Sequence, residues 1–273
     1  MIQEKHVPSL LPEGKQWKMV WHDEFDGDTL DSSKWSYRLH LLQQRHETFA
    51  EEGAELDGKG NLLLKLIKKN GHFYSPHLQT GSNYLDRPGK GFCFEKGKFN
   101  WPIAKFEQPK FMHKFGYYEC RCKLPTQPGW WAAFWLQSPC IGSTPDAEVS
   151  GVEVDIMENF TRDGIISHCN HWGGYSEDHQ CCHPEPIQLQ ATPDDFHVFG
   201  LEWNKEEYVY YVDGKETWRV TKPYPISQRE QFILISTECM GYRSGDQPSP
   251  LLKEAQLPDY FIVDYVRVFD EVK

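Results

Sequence analysis

The chain has 273 residues, 39% of them hydrophobic, which is enough for one substantial core, and a formal net charge of −11. That acidity disfavours nucleic acid and highly sulfated glycans as partners. No run of about eighteen apolar residues is present to span a membrane, and Met1-Ile2-Gln3-Glu4-Lys5 lacks the apolar centre of a secretory leader. The compartment is therefore left unassigned, since a protein retained in the cell and one with its leader removed fit equally. Aromatic residues reach 14%, with ten Trp. Such rings suit the apolar face of a pyranose, although large β-sandwiches also use many of them.

In chain order, residues 1–16, with Pro8 and Pro12, read as a surface tail or short edge segment, and 17–273 as a single domain. Lys18–Phe25 gives a strand followed by the turn Asp26-Gly27-Asp28. Asp57–Asn61 makes a turn before the apolar strand Leu62–Leu66. Residues 71–110 are rich in Gly, Pro and aromatics without helical period, and a segment that long is usually functional in a compact domain. Strands are predicted again at 115–124, 130–137, across the acidic run 151–160, and at 165–172, 196–203, 207–213, 216–220, 231–238 and 261–269. Asp213-Gly214 marks a tight hairpin between two of them. No stretch is convincingly amphipathic as a helix, and no repeat or linker is visible. The pattern predicts one antiparallel β-sandwich.

Eight cysteines are present. Cys120 and Cys122 alternate with charged residues and read as small core-facing side chains. Cys169, His171, His179, Cys181, Cys182 and His183 supply enough soft ligands for zinc, but their spacing matches no paired zinc motif. An ordinary loop with reduced thiols is the expectation.

The most informative run is Gly151-Val152-Glu153-Val154-Asp155-Ile156-Met157-Glu158-Asn159-Phe160. Alternation along a strand puts Glu153 and Asp155 on one face and Val154 and Ile156 on the other. It would then throw Glu158 onto the apolar side, where a lone carboxylate is costly. A one-residue β-bulge near Ile156–Met157 resets the parity and returns Glu158 to the acidic face. Three acids in a row repel and push their pKa values apart. Two carboxylates of unequal pKa, about 5–5.5 Å apart, are what a retaining glycosidase needs. Positions effectively four apart lie roughly 13 Å apart along a strand, so the two Glu side chains must lean together to meet. The plainer alternative is an exposed edge strand studded with acids.

Glu153-Val154-Asp155-Ile156-Met157-Glu158 resembles the signature of glycoside hydrolase family 16, in the bulged form of its laminarinase- and agarase-like branches. Further resemblances run in order along about residues 17–270. They include Trp21–Gly27, Gly116–Pro125, Gly129–Leu136, Phe196–Trp203, Val212-Asp213-Gly214 and Asp264–Phe269. The resemblance implies an all-β, antiparallel jelly-roll sandwich with a concave substrate cleft. It also implies an endo-acting, retaining hydrolase in which Glu153 is the nucleophile, Glu158 the acid/base, and Asp155 a hydrogen-bonding partner of Glu153. Trp131 and Trp135, which alternation puts on one face with Ala133 between them, would flank the cleavage point. From the adjacent strand, His171 or failing that His168 would face the acid/base. Arg121 matches a family strand position and would hold one acid ionised.

Many members carry a structural calcium, and Glu24, Gly60 and Asp264 occupy the positions of its ligands, with oxygen donors of the kind calcium accepts. No cofactor is expected for catalysis. The partner expected is a polysaccharide or oligosaccharide, bound by a monomer. The substrate expected is a β-1,3- or mixed-linkage glucan, with a galactose-containing glycan second. A non-catalytic carbohydrate-binding sandwich is the alternative of a different class. The segments around 79–87, 90–110 and 169–183 depart from the simpler laminarinase outline, and such loops set specificity.

Overall fold

Alternating apolar and polar residues fold into two antiparallel sheets that share one apolar interior. The computed structural model describes residues 6–42, 44–86, 108–160, 163–192, 194–245 and 247–272. One sheet runs in the spatial order Gln180–Cys182, Ile165–Trp172, Glu153–Asn159, Trp130–Gln137, Phe232–Cys239, His77–Gln79 and Ser36–Tyr37. The other runs Lys215–Thr221, Glu207–Val212, His197–Trp203, Gly116–Lys123, Asp259–Val272, Leu62–Lys69 and Ala54–Leu56, with Gln16–Asp23 paired beside Asp259–Val272. This is the two-sheet jelly-roll sandwich expected from the sequence.

The interior is built by every second residue of both sheets. Leu136, Val154, Ile156, Met157 and Ile235 from the first meet Leu64, Cys120, Cys122, Phe199, Tyr210 and Val266 from the second, nearly all without exposure. Cys120 and Cys122 are fully buried, as their alternation with charges predicts. Asp213 and Gly214 take positive φ (50° and 75°) at the hairpin between Glu207–Val212 and Lys215–Thr221, the backbone that a two-residue turn demands.

One expectation is filled in and one corrected. Residues 6–15 form a surface segment laid along the second sheet, where Leu10 N–H donates to Glu119 at 2.8 Å and Tyr117 Oη donates to the Leu10 carbonyl at 3.1 Å. Arg267 donates to the Val7 carbonyl and Ser9 Oγ, both at 2.9 Å. The segment straps the second sheet and satisfies Glu119, a carboxylate with no exposure that would otherwise be costly to bury. Within 71–110, His72–Tyr74 and His77–Gln79 are strands and Tyr84–Asp86 a 3₁₀ turn; residues 87–107 lie outside the described set. Three-residue strands are too short to show alternation, and His77–Gln79 is held by pairing to a strand more than 150 residues away.

Candidate active site

The acid strand, Glu153–Asn159, carries the expected bulge. Against Trp130–Gln137, Met157 pairs with Phe134 and Asp155 with Trp135, so Ile156 is the extra residue. Against Ile165–Trp172, Asp155 pairs with Cys169 and Glu158 with Ser167, so Ile156 and Met157 together oppose His168. Ile156 and Met157 both point into the apolar interior. Glu153, Asp155 and Glu158 consequently share the outer face with Trp131, Ala133, Trp135 and Gln137. Gly151 opens the strand at φ 92°, a tight approach in which an added Cβ would lie 2.3 Å from Ser138 Cβ.

The floor around the acids is braced by neighbours that are remote in sequence. Gln137 Nε2 donates to Glu153 Oε2 at 2.8 Å, and Tyr175 Oη donates to the same oxygen. Gln137 is itself fixed by Asn83 Nδ2, which donates to its Oε1 at 2.6 Å. Trp135 is 8% exposed and donates its Nε1 to Ser236 Oγ at 2.9 Å, with the Arg38 guanidinium 5.5 Å from its ring. Trp131 lies between Phe160 (ring centroids 5.4 Å apart) and the Arg243 guanidinium (5.5 Å). Arg243 Nε donates to buried Glu238 Oε1 at 2.9 Å. His77 is buried beside Trp135, and both its ring nitrogens lack a hydrogen-bond partner among the described residues. Burial, then Arg38 and Arg243, push His77 well down and hold it neutral.

Burial first, then the charges of Asp155 and Glu153, push Glu158 well above the ordinary carboxylate range, against a smaller opposing pull from His171 and Arg243. Burial and Glu153 push Asp155 up as well. A carboxyl pushed above the ordinary carboxylate range, on one face with two more acids, suits acid/base work on a bond held between them.

Comparison with known sequences agrees. The chain matches the profile of Glycosyl hydrolases family 16 over residues 97–238, just over half its length. The chain belongs to this family. It is 28% identical to glucan endo-1,3-beta-glucosidase A1 of Niallia circulans, over 93% of this chain but only 38% of that longer protein. It is 26% identical to the beta-glucanase of Rhodothermus marinus, over 93% of this chain and 85% of that one. The fold superposes on the catalytic domain of an endo-1,3-beta-glucanase (laminarinase) from Thermotoga petrophila with a TM-score of 0.64 at 23% identity, covering 95% of this chain and 100% of the other.

In this family 16 chain the structure brings Trp131, Trp135 and His171 to the acids' face. His171 Nε2 lies 3.3 Å from Asp155 Oδ2, and its Nδ1 is 2.9 Å from His179 Nε2. Asp155 thus sits against His171, while Gln137 and Tyr175 hold Glu153, in place of the Asp155–Glu153 hydrogen bond expected. His168 is corrected, because the bulge turns it inward, fully buried between the sheets, with Nδ1 on the Ile156 carbonyl at 2.6 Å and Nε2 on Thr217 Oγ1 at 2.9 Å. Arg121 is corrected too. It lies on the other sheet, bonded through Nη1 to Asp264 at 2.7 Å, paired with Asp194 and stacked over Phe196. Gln137, Tyr175, Arg38, Arg243 and His77 went unread in the sequence. Tyr175 carried a signal by falling in the divergent 169–183 segment, His77 by falling in 71–110, and Gln137 by sharing the alternation of Trp131, Ala133 and Trp135.

Glu24, Gly60 and Asp264 do come together on the second sheet, but not as a calcium cage. The Arg267 guanidinium grips Glu24 through Nε and Nη2 at 2.8 and 2.7 Å, and Arg121 takes Asp264. The His6 imidazole lies between them, its Nδ1 3.5 Å from both Glu24 and Asp264 and its Nε2 3.1 Å from Asp26. An added Cβ on Gly60 would meet His6 Cε1 at 3.2 Å. Calcium takes six to eight oxygens at about 2.3–2.6 Å, and here nitrogen donors already hold those oxygens. The residues present do not fit the ion.

Proposed function

We propose that the chain is an endo-acting, retaining β-glycoside hydrolase whose substrate is a β-1,3- or mixed-linkage glucan. Glu153 attacks the anomeric carbon while Glu158 gives its proton to the leaving oxygen, so the glycosidic bond breaks as a glycosyl ester forms. Glu158, now a carboxylate, takes a proton from water. The water oxygen attacks the same carbon, and Glu153 leaves with net retention.

The observation that supports this reading most is the bulge at Ile156, which puts Glu158, with its raised pKa, on the same face as Glu153. Gln137 and Tyr175 both bond Oε2 of Glu153, which fixes the carboxylate's plane. Asp155 tunes the trio by charge, and its neighbour His171 limits how far Glu158 is raised. Trp131 and Trp135 offer rings to sugar faces. The glucan assignment rests on the named activities of the two relatives above.

The test is a screen of laminarin, lichenan, agarose, porphyran and galactan for new reducing ends, with Glu153→Gln and Glu158→Gln as controls. New ends are expected from laminarin or lichenan, with loss in both variants while folding is kept. Release from agarose, porphyran or galactan alone would move the substrate to galactans. Full activity in either variant, or none on any glycan, would overturn the reading.

A further inference from the structure

The Cys-rich segment after the acid strand does not form the irregular loop its spacing suggests. Gln180–Cys182 is the outermost strand of the cleft sheet, pairing Cys181 with His171 and Cys182 with Asn170. This register sets Cys181 diagonally across from Cys169, with His171 between them. One donor atom from each of Cys169, His171 and Cys181 lies within 4.8 Å of the others. The same holds for Glu153, Asp155 and His171, so one imidazole belongs to both groups.

We propose that Cys169, His171 and Cys181, with Asp155 as fourth ligand, form a site for a thiophilic divalent cation of the zinc class at the edge of the cleft. Two sulfurs, one imidazole and one carboxylate make the tetrahedral donor set that zinc accepts, at about 2.3 Å to sulfur and 2.0–2.2 Å to nitrogen and oxygen. Those lengths imply donor separations of roughly 3.3–3.8 Å, so donors now within 4.8 Å of one another need to close by at most about 1.5 Å on binding. The outermost strand can supply that movement, having a neighbour on one side only. The set excludes harder ions such as calcium, which take oxygens.

A disulfide suits the pair less well. Diagonal cross-strand positions lie about 7–8 Å apart, beyond the usual 4.4–6.8 Å between bridged Cα atoms. His179, 2.9 Å from His171 Nδ1, steadies the ring from outside, as outer partners of metal-bound histidines do. Cys181 is exposed and gives the ion its way in, whereas Cys169 is buried.

A metal there also takes His171 and neutralises Asp155, so occupancy would inhibit hydrolysis. That consequence rests on the catalytic reading above; the binding does not. The test is titration of the full chain, reduced and freed of metal, with Co²⁺. A thiolate-to-cobalt charge-transfer band saturating at one equivalent, and lost on adding Zn²⁺, is expected. Cys181→Ser and Cys169→Ser should keep the fold by circular dichroism and weaken Co²⁺ binding by more than the 10–100-fold that loss of an outer partner costs. In parallel, Zn²⁺ should inhibit the wild type reversibly and leave Cys181→Ser active. No band in the reduced wild type, or an unchanged band in Cys181→Ser, would overturn the site. A band without inhibition supports the site and counts against the catalytic reading alone.

Discussion

The Nδ1–H of His168 donates to the carbonyl of Ile156 at 2.6 Å, so the extra residue of the acid strand is tied down by the residue opposite it. Burial pushes His168 down to about 4, although that hydrogen bond opposes it. The neutral ring therefore gives its one proton to Ile156 and accepts from Thr217. Replacing it with Phe keeps a ring in the gap but leaves a buried carbonyl unpaired, at about 1–3 kcal/mol. In His168→Phe, a lower Tm is expected together with a lower kcat at nearly unchanged KM. Melting curves and steady-state kinetics check this, and an unchanged kcat would confine His168 to stability.

The pH profile should respond to two neighbours in opposite directions. Glu158 must hold its proton to act as the acid, so activity falls as pH rises through its elevated pKa. Asp155 raises that pKa and Arg243 lowers it. Asp155→Asn should therefore move the alkaline limb of kcat/KM to lower pH. Arg243→Gln, paired with Glu238→Gln so that no buried carboxylate is stranded, should move it to higher pH. An alkaline limb that moves the same way in both would remove the charge argument.

Glu158 should also cost the fold stability. Its folded pKa lies above the unfolded value of about 4.3, so the folded state holds more protons, and stability falls as pH climbs from there towards the folded pKa. Glu158→Gln does not titrate. It is expected to melt above wild type at neutral pH, by about 2–4 °C for each kcal/mol recovered, with the advantage shrinking below about pH 4. The same substitution should lower turnover by about 10²–10⁴-fold. Calorimetry across pH decides this, and an equal Tm at neutral pH would refute it.

His6 makes a prediction about metal. With its imidazole against Glu24, Asp26 and Asp264, thermal unfolding should be indifferent to EGTA and to added calcium. His6→Ala should lower the Tm and open a space among three carboxylates, in which added calcium restores part of the loss. A wild-type Tm that drops in EGTA would show that an ion holds this place.

What could be read in advance followed from local pattern. Val154, Ile156 and Met157 are apolar at positions that only a bulge reconciles with Glu158, so the kink was legible, and the spacing of Trp131, Ala133 and Trp135 placed their face. His168 and His171 were harder, because each strand's parity depends on where its partner slips. Arg121 lay within a real family motif, but a motif fixes a strand and not which sheet's surface a side chain joins. Arg38 and His77 reach Trp135 through pairings such as Leu234 with Gln79, between segments far apart in the chain, which no short window contains, whereas Gln137 continues the face of Trp131, Ala133 and Trp135 beside the acid strand. The cluster holding Cys169 and Cys181 was visible but set aside for its spacing, because zinc spacings are read along the sequence, whereas these thiols meet across a ladder.

The supernumerary Ile156 has a last consequence. Excised, it would leave Glu153-Val154-Asp155-Met157-Glu158, whose plain zigzag still aims all the acids outward, and Asp155 to Glu158 already spans only two residues of each neighbour, Trp135 to Ala133 and Cys169 to Ser167. The insertion is thus a tuck in the fabric: it lends the interior one more apolar side chain while the acids keep their direction and their ladder spacing, and His168 is the peg that stops it working loose.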